Sequence, residues 1–259
     1  MIIIKKSDLL FYDAYEDFYN MAETSDIFGR YCKAVFGEDF SQDGFSDVTQ
    51  INDILSIVSL NEKQAILDIG CGNGKMLQYI HTKTKADAYG FDYSENAIAY
   101  ANKVINDNSG SFHFDAGIIG EIEYQPNKFD VITSIDTIYF AKDMIEFTKQ
   151  IIKWLKPNGY FVCGYQEGDV KSKSKDKDSS DLALALKSLG IEYDVFDYTK
   201  RCYDLLLHKR KVVENMKAEF INNGLEQWYE VAISQSIDNN ISYNDYSSTN
   251  SRYIYIVRK

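Results

Sequence analysis

Apolar positions recur with one period at the start of the chain and with another from about residue 64 onwards. Leu9, Tyr12, Ala14, Tyr15, Phe18, Tyr19 and Met21 follow each other at roughly helical spacing. A second helical stretch carries Ile27, Phe28, Tyr31, Val35 and Phe36 and stops near Gly37, and a third carries Val48, Ile51, Ile54, Leu55 and Val58. From 64 the apolar residues instead gather into short runs at 64–70, 88–92, 111–117, 129–135 and 160–166, which read as buried strands. Helical patterns over 74–83, 94–105 and 143–155 separate them, the second opened by Ser94 as N-cap and the third closed by Lys156, Pro157 and Gly159.

Beyond 166 comes a polar stretch of mixed charge, 167–181, expected to be a mobile surface loop and a gate. A helix over 181–190 ends at Gly190, and 191–199 alternates as a strand. Residues 200–236 read as one long or two shorter helices broken near 222–224, 238–251 are polar, and 252–259 form a final strand. Strands alternating with helices predict an α/β fold: a doubly wound, mostly parallel sheet of seven strands covered on both faces.

The length of 259 residues suits one large α/β domain, or one with a modest insertion, and 45% hydrophobic residues supply a sizeable core. The mean hydropathy is -0.34, and no segment nears the roughly 20 apolar residues of a membrane span. The apolar run at 2–4 is too short for a secretory core, so a cytoplasmic location is expected. A net charge of -11 repels phosphate backbones and makes nucleic acid a poor partner, although a local basic patch stays open. The cysteines Cys32, Cys71, Cys163 and Cys202 are scattered without a CxxC pair, which points to buried or half-buried thiols and to no metal site. Twenty tyrosines suit either a small-molecule pocket or half-buried packing.

The informative segment is Ile66-Leu67-Asp68-Ile69-Gly70-Cys71-Gly72-Asn73-Gly74. A strand ends in an acid and turns through three glycines into a helix, at the carboxyl ends of a parallel sheet's strands, where ligands bind. A dinucleotide fingerprint would need its third glycine at position 75, where the chain has Lys75. The next strand ends at Asp92, a carboxylate placed to accept two hydrogen bonds from ribose hydroxyls.

The glycine triplet preceded by Asp68 resembles motif I of the class I S-adenosylmethionine-dependent methyltransferases, and Asp92-Tyr93-Ser94 with Ala97 resembles the family's next motif. Asp115-Ala116-Gly117, Ser134-Ile135-Asp136 and Leu155-Lys156-Pro157-Asn158-Gly159 follow in family order, so the resemblance covers about 64–166. It implies a Rossmann-like methyltransferase fold and S-adenosylmethionine as cofactor. It implies cofactor binding at Asp68, Gly70, Cys71 and Gly72, ribose binding at Asp92, adenine contacts from Tyr93, Asp115, Ala116 and Gly117, and contacts to the methionine part from the fourth strand's segment with Ser134. The segments 11–19 and 36–47 are similar to the lids of small-molecule N-methyltransferases, which makes Tyr19 and Gln42 cofactor-closing candidates; the ring of Tyr19 could equally pack on the core. The implied organisation is a helical lid over 1–60, a core over 61–199, a helical cap insertion over 200–240 and the last core strand over 241–259.

Such a fold implies in-line methyl transfer to a small molecule, with an amine nitrogen as the expected acceptor. Tyr139, Tyr165 and Tyr203 are the expected substrate-wall residues. No catalytic base is identified: His113 reads as packed, His81 lies away from the crevice, His208 falls in the insertion, and Tyr139-Phe140 stands where many relatives carry a histidine. A non-catalytic cofactor-binding protein and a methyltransferase acting on a protein or peptide are the alternatives.

Overall fold

The computed structural model describes residues 9–42, 44–104 and 111–259. The apolar run at 2–4, Asp43 of the lid segment and the end of the helix expected at 94–105 lie outside the described residues. Three helices come first, α1 (Tyr12–Thr24), α2 (Asp26–Phe36) and α3 (Val48–Val58). Their starts follow from side-chain chemistry: Ser25 Oγ accepts from the Phe28 amide at 3.1 Å and Asp47 Oδ1 from the Gln50 amide at 2.8 Å. Next come β1 (Ala65–Ile69), α4 (Lys75–Thr84), β2 (Asp87–Asp92), α5 (Glu95–Val104), β3 (Phe112–Ala116), β4 (Phe129–Ile135), α6 (Met144–Trp154) and β5 (Leu155–Glu167). The remainder runs α7 (Asp181–Ser188), β6 (Asp194–Asp197), α8 (Thr199–Asn215), α9 (Lys217–Asn222), α10 (Glu226–Ser234), α11 (Tyr243–Thr249) and β7 (Ser251–Arg258).

The seven strands form one sheet in the order β3-β2-β1-β4-β5-β7-β6. The strands from β3 to β5 pair in parallel, and β7 runs antiparallel between β5 and β6. The order reverses between β1 and β4, so the crevice at their carboxyl ends is the place for a ligand. Both faces are buried because neighbouring residues of each strand point to opposite sides. On one face Leu67, Ile132, Phe161 and Val257 pack with Phe147, Ile151 and Trp154 of α6 and with Leu182 and Leu186 of α7. On the other, Ile66, Val131, Val162 and Ile256 pack with Ile51 and Ile54 of α3 and with Leu77 and Ile80 of α4. A third apolar cluster joins Phe18, Phe28 and Tyr31 of α1 and α2 to Val213, Phe220 and Tyr229 of α8–α10.

The expected alternation of strands and helices is therefore present, with four differences of detail. The 200–236 stretch breaks at Met216 as well as at the expected 223–224, giving three helices. The polar 238–251 stretch contains α11, started by Ser242 Oγ accepting from the Asp245 amide at 3.2 Å. β5 begins at Leu155, so the expected turn before it becomes an irregularity in its pairing with β4. Residues 167–181 are polar as expected but are held: buried Glu167 accepts from the Ser174 amide at 3.1 Å and from Ser251 Oγ at 2.5 Å, and the Tyr255 hydroxyl donates to the Lys177 carbonyl at 2.5 Å. Among the described residues no helix is long and apolar enough to cross a membrane.

Because Leu67 is fully buried between the two layers and Leu184 on α7 is 54% exposed, the two should respond differently to truncation. Leu67→Ala is expected to lower the unfolding free energy by about 2–5 kcal/mol, and Leu184→Ala to stay within about 0.5 kcal/mol, as read by urea denaturation.

Candidate functional site

After β1 the chain turns away from the sheet through 70–74. Gly70 and Gly72 have φ of 74° and 54°, in the left-handed region that suits glycine. Both also sit where a Cβ would collide: at Gly70 with Thr137, at Gly72 with the Tyr19 hydroxyl. The turn is pinned to β2 by the Gly70 and Cys71 amides, which donate to the Phe91 carbonyl at 2.9 and 3.1 Å. The Gly72 amide donates to Asp92 Oδ2 at 2.9 Å and the Ser94 amide to Asp92 Oδ1 at 2.9 Å. A carboxylate has about four lone-pair directions, so Asp92 keeps acceptor capacity for a ligand's hydroxyl groups.

These groups open on a cavity of about 360 Å³, within the range of small-molecule sites. Asp68, Gly70, Cys71, Gly72, Asp92, Tyr93 and Gly117 form one side of it. Tyr15, Phe18, Tyr19, Phe40 and Gln42 come from α1 and the loop after α2, and Asp136, Thr137, Tyr139, Phe140 and Lys142 from the segment after β4. Thus Tyr19, Gln42, Asp68, Gly70, Cys71, Gly72, Asp92, Tyr93, Gly117 and Tyr139, all singled out from the sequence, meet at one cavity.

The structure does not bring the other candidates to its wall. Asp115 and Ala116 are exposed on β3, the strand at the sheet's edge. Ser134 is buried behind the wall and acts through Thr137: the two hydroxyls are 2.7 Å apart, and Thr137 donates to the Ile69 carbonyl at 2.6 Å. Tyr165 packs in the core with its ring 5.8 Å from that of Tyr139. Tyr203 lies among Tyr243 and Tyr246 and donates to the Ile241 carbonyl at 2.7 Å. None of residues 167–181, expected to form a gate, is among the residues lining the cavity.

Two networks that fix the cover have no sequence motif. Lys75, at the start of α4, donates to Asp39 at 2.9 Å and to Ser41 Oγ at 2.6 Å, and Asn73 donates to Glu23 of α1. This ties the cover to the glycine turn. On the opposite side Arg252, wholly buried in β7, donates to Asp136 and, at 2.5 Å, to Ser46 Oγ, while the Phe45 amide donates to Asp136 at 3.2 Å. An arginine in an otherwise tyrosine- and isoleucine-rich strand was the available signal for the second network.

Burial pushes the Asp68 carboxyl up to about 7, against the opposing hydrogen bond from Thr133 Oγ1 at 2.7 Å, and Asp92 adds to the rise. Burial likewise pushes Asp92 up to about 6, against the backbone amides that hold it. Burial, then the charge of Asp92, raises the Tyr19 phenol. Among the described residues no cluster of His, Cys, Asp and Glu is arranged to hold a metal ion. The site thus offers two desolvated carboxyls and a backbone that a ligand can approach closely, which fits a hydroxylated, positively charged small molecule.

Residues 60–227 match the protein family described as "Methyltransferase domain". The chain is 29% identical over 215 residues to phosphoethanolamine N-methyltransferase 3 of Arabidopsis thaliana, covering 76% of this chain and 42% of that protein. It is 35% identical over 127 residues to the phosphoethanolamine N-methyltransferase of Plasmodium falciparum, covering 48% of this chain and 47% of that one. The chain thus spans less than half the length of these curated relatives. Its fold is like that of Haemonchus contortus phosphoethanolamine N-methyltransferase 2 in complex with S-adenosyl-L-methionine, with a TM-score of 0.72, 20% identity, and coverage of 95% of this chain and 60% of that one.

Folding raises the Asp68 carboxyl, so the folded chain holds a proton that the unfolded chain releases near pH ~3.9. The stability gained is complete below that value and is lost as pH rises through about 7. Asp68→Asn keeps a neutral side chain at every pH. Denaturation curves from pH ~5 to ~8 should therefore show this variant gaining stability relative to wild type as pH rises; a constant difference would mean that the carboxyl is not desolvated.

Proposed function

The chain belongs to the methyltransferase-domain family, in the S-adenosylmethionine-dependent class I, and we propose that it methylates an amine nitrogen of a small molecule. The observation that carries this reading is one cavity, walled by the glycine turn with Asp68 and Asp92 on one side and by Tyr15, Tyr19, Tyr139 and Phe140 on the other. S-adenosylmethionine, when bound, supplies an electrophilic methyl group on a sulfonium sulfur.

The residues of the turn fit that cofactor. Asp92 is the acceptor for its ribose hydroxyls, and Asp68 is the carboxylate for the ammonium of its methionine part. Tyr93 and Gly117 wall the adenine side, and Tyr19 and Gln42 close over the whole from the cover. Asp115 and Ala116, exposed on β3, are left out of the proposal.

The aromatic side favours an amine. Ring faces attract a cation by their quadrupole, more so where water is excluded. A cover held by Lys75 and Arg252 fixes the acceptor's orientation, and this positioning is the protein's main contribution to a displacement at carbon. A neutral amine presents its lone pair without prior help from a base. That agrees with a wall that carries no histidine among the described residues.

Asp92→Ala removes the ribose acceptor and strands the Gly72 and Ser94 amides. Titration calorimetry is expected to show S-adenosylmethionine binding weakened by on the order of 1–3 kcal/mol; unchanged affinity, or binding of NAD in its place, would overturn the cofactor assignment. The acceptor class is tested by offering amines, phenols and thiols to the wild-type chain. Amines are expected to be methylated, and turnover of phenols or thiols alone would refute the amine reading.

A further inference from the structure

We infer that the acceptor amine carries no phosphate group, which sets this cavity apart from the substrate named for the phosphoethanolamine relatives. The inference rests on the amine reading and names the class of amine. Three carboxylates line the cavity, Asp68, Asp92 and Asp136, and among the described residues Lys142 is the one cationic side chain on its wall. Lys142 is exposed to solvent at that wall, where water screens a charge and holds an anion weakly.

Among the described residues, the cations of the two networks that hold the cover have their own partners. Arg252 is fully buried, and its Nη atoms donate to Asp136 and to Ser46 Oγ. Lys75 donates to Asp39 and Ser41. Neither Arg252 nor Lys75 contributes to the cavity wall. With Asp68 and Asp92 turned to the cofactor, a phosphate dianion on the acceptor side would lose its hydration shell beside Asp136 and, from the described residues, gain no buried guanidinium or ammonium on the wall in exchange.

The state of the carboxyls agrees. Asp68 and Asp92 are both raised, burial being the first cause for each, and the largest opposing influences are hydrogen bonds from neutral donors. A cavity built to receive phosphate would hold positive potential that draws such carboxyls down. Much of the remaining wall is apolar or aromatic, with Leu10, Phe40, Met76, Ile119, Ile135 and Phe140 beside the uncharged polar Ser41, Gln42, Ser46 and Thr137. This surface suits an amine with a hydrocarbon or aryl body.

The test is a set of matched pairs offered to the full chain with S-adenosylmethionine: ethanolamine with phosphoethanolamine, 2-(methylamino)ethanol with its phosphate, and tyramine with its O-phosphate. Binding of both members to the chain loaded with S-adenosylhomocysteine is measured alongside, so that discrimination is read even for a pair that is not turned over. The unphosphorylated member is expected to be favoured by at least about tenfold in kcat/KM or in affinity. Equal or better use of the phosphorylated members overturns the inference and leaves the amine reading standing. Methylation of phenols or thiols with no amine accepted overturns the amine reading, and the inference with it.

Discussion

Two carboxyls, Asp68 and Asp92, have been taken out of water without being given a cation, and the rest of the site is arranged around that constraint. Each is held by neutral donors alone: Thr133 Oγ1 for Asp68, and the amides of Gly72 and Ser94 for Asp92. Neutral donors fix the position of a carboxylate but do not cancel its charge. The ligand-free fold therefore carries an electrostatic cost that a positively charged ligand relieves. The strand order sets the place, because reversal between β1 and β4 opens the crevice into which both acids point their strand ends. The glycine turn sets the distance, because a side chain at Gly72 would meet Tyr19 before any ligand arrived.

The opposite side of the cavity uses the reverse solution. Asp136 is given a buried guanidinium, Arg252, and a backbone amide, Phe45. A buried pair of this kind adds little net stability over an apolar substitute, but breaking it is severe because one charge is left alone. Its consequence here is geometric. It joins the end of β4, the start of β7 and the loop between α2 and α3, so the cover is attached to the sheet on the side away from Lys75.

The fold was legible wherever the signal is short-range. Strands buried on both faces show as dense apolar runs, and the turn that binds the cofactor shows as an acid and three glycines within seven residues of sequence, 68–74. Asp92 was legible because its place is fixed by the end of the next strand. What was not legible depends on facing and on distant partners. Tyr165 and Tyr203 sit near wall elements, yet packing against Tyr139 and Tyr246 turns their rings away from the cavity. Asp115 lies near the end of the edge strand β3, where its side chain is exposed. The polarity of 167–181 says nothing of Glu167, whose buried carboxylate gathers that loop through Ser174. Arg252 and Asp136 lie 116 positions apart, with no spacing rule to link them.

The placement of β7 has a consequence for how the molecule comes into being. Chains are synthesised from the N-terminus and their domains form in that order, yet this strand inserts between β5 and β6 after the other six strands of the sheet have been made. Until it arrives, β5 offers an open edge for stray pairing, β6 has nothing to pair with, and Asp136 awaits its guanidinium. The nascent molecule thus passes through a stage in which the glycine turn already exists but the cover has no anchor on the sheet. Ligand-binding competence thus waits for the sheet's seventh strand, and protection of the open β5 edge matters most in the interval before β7 is inserted.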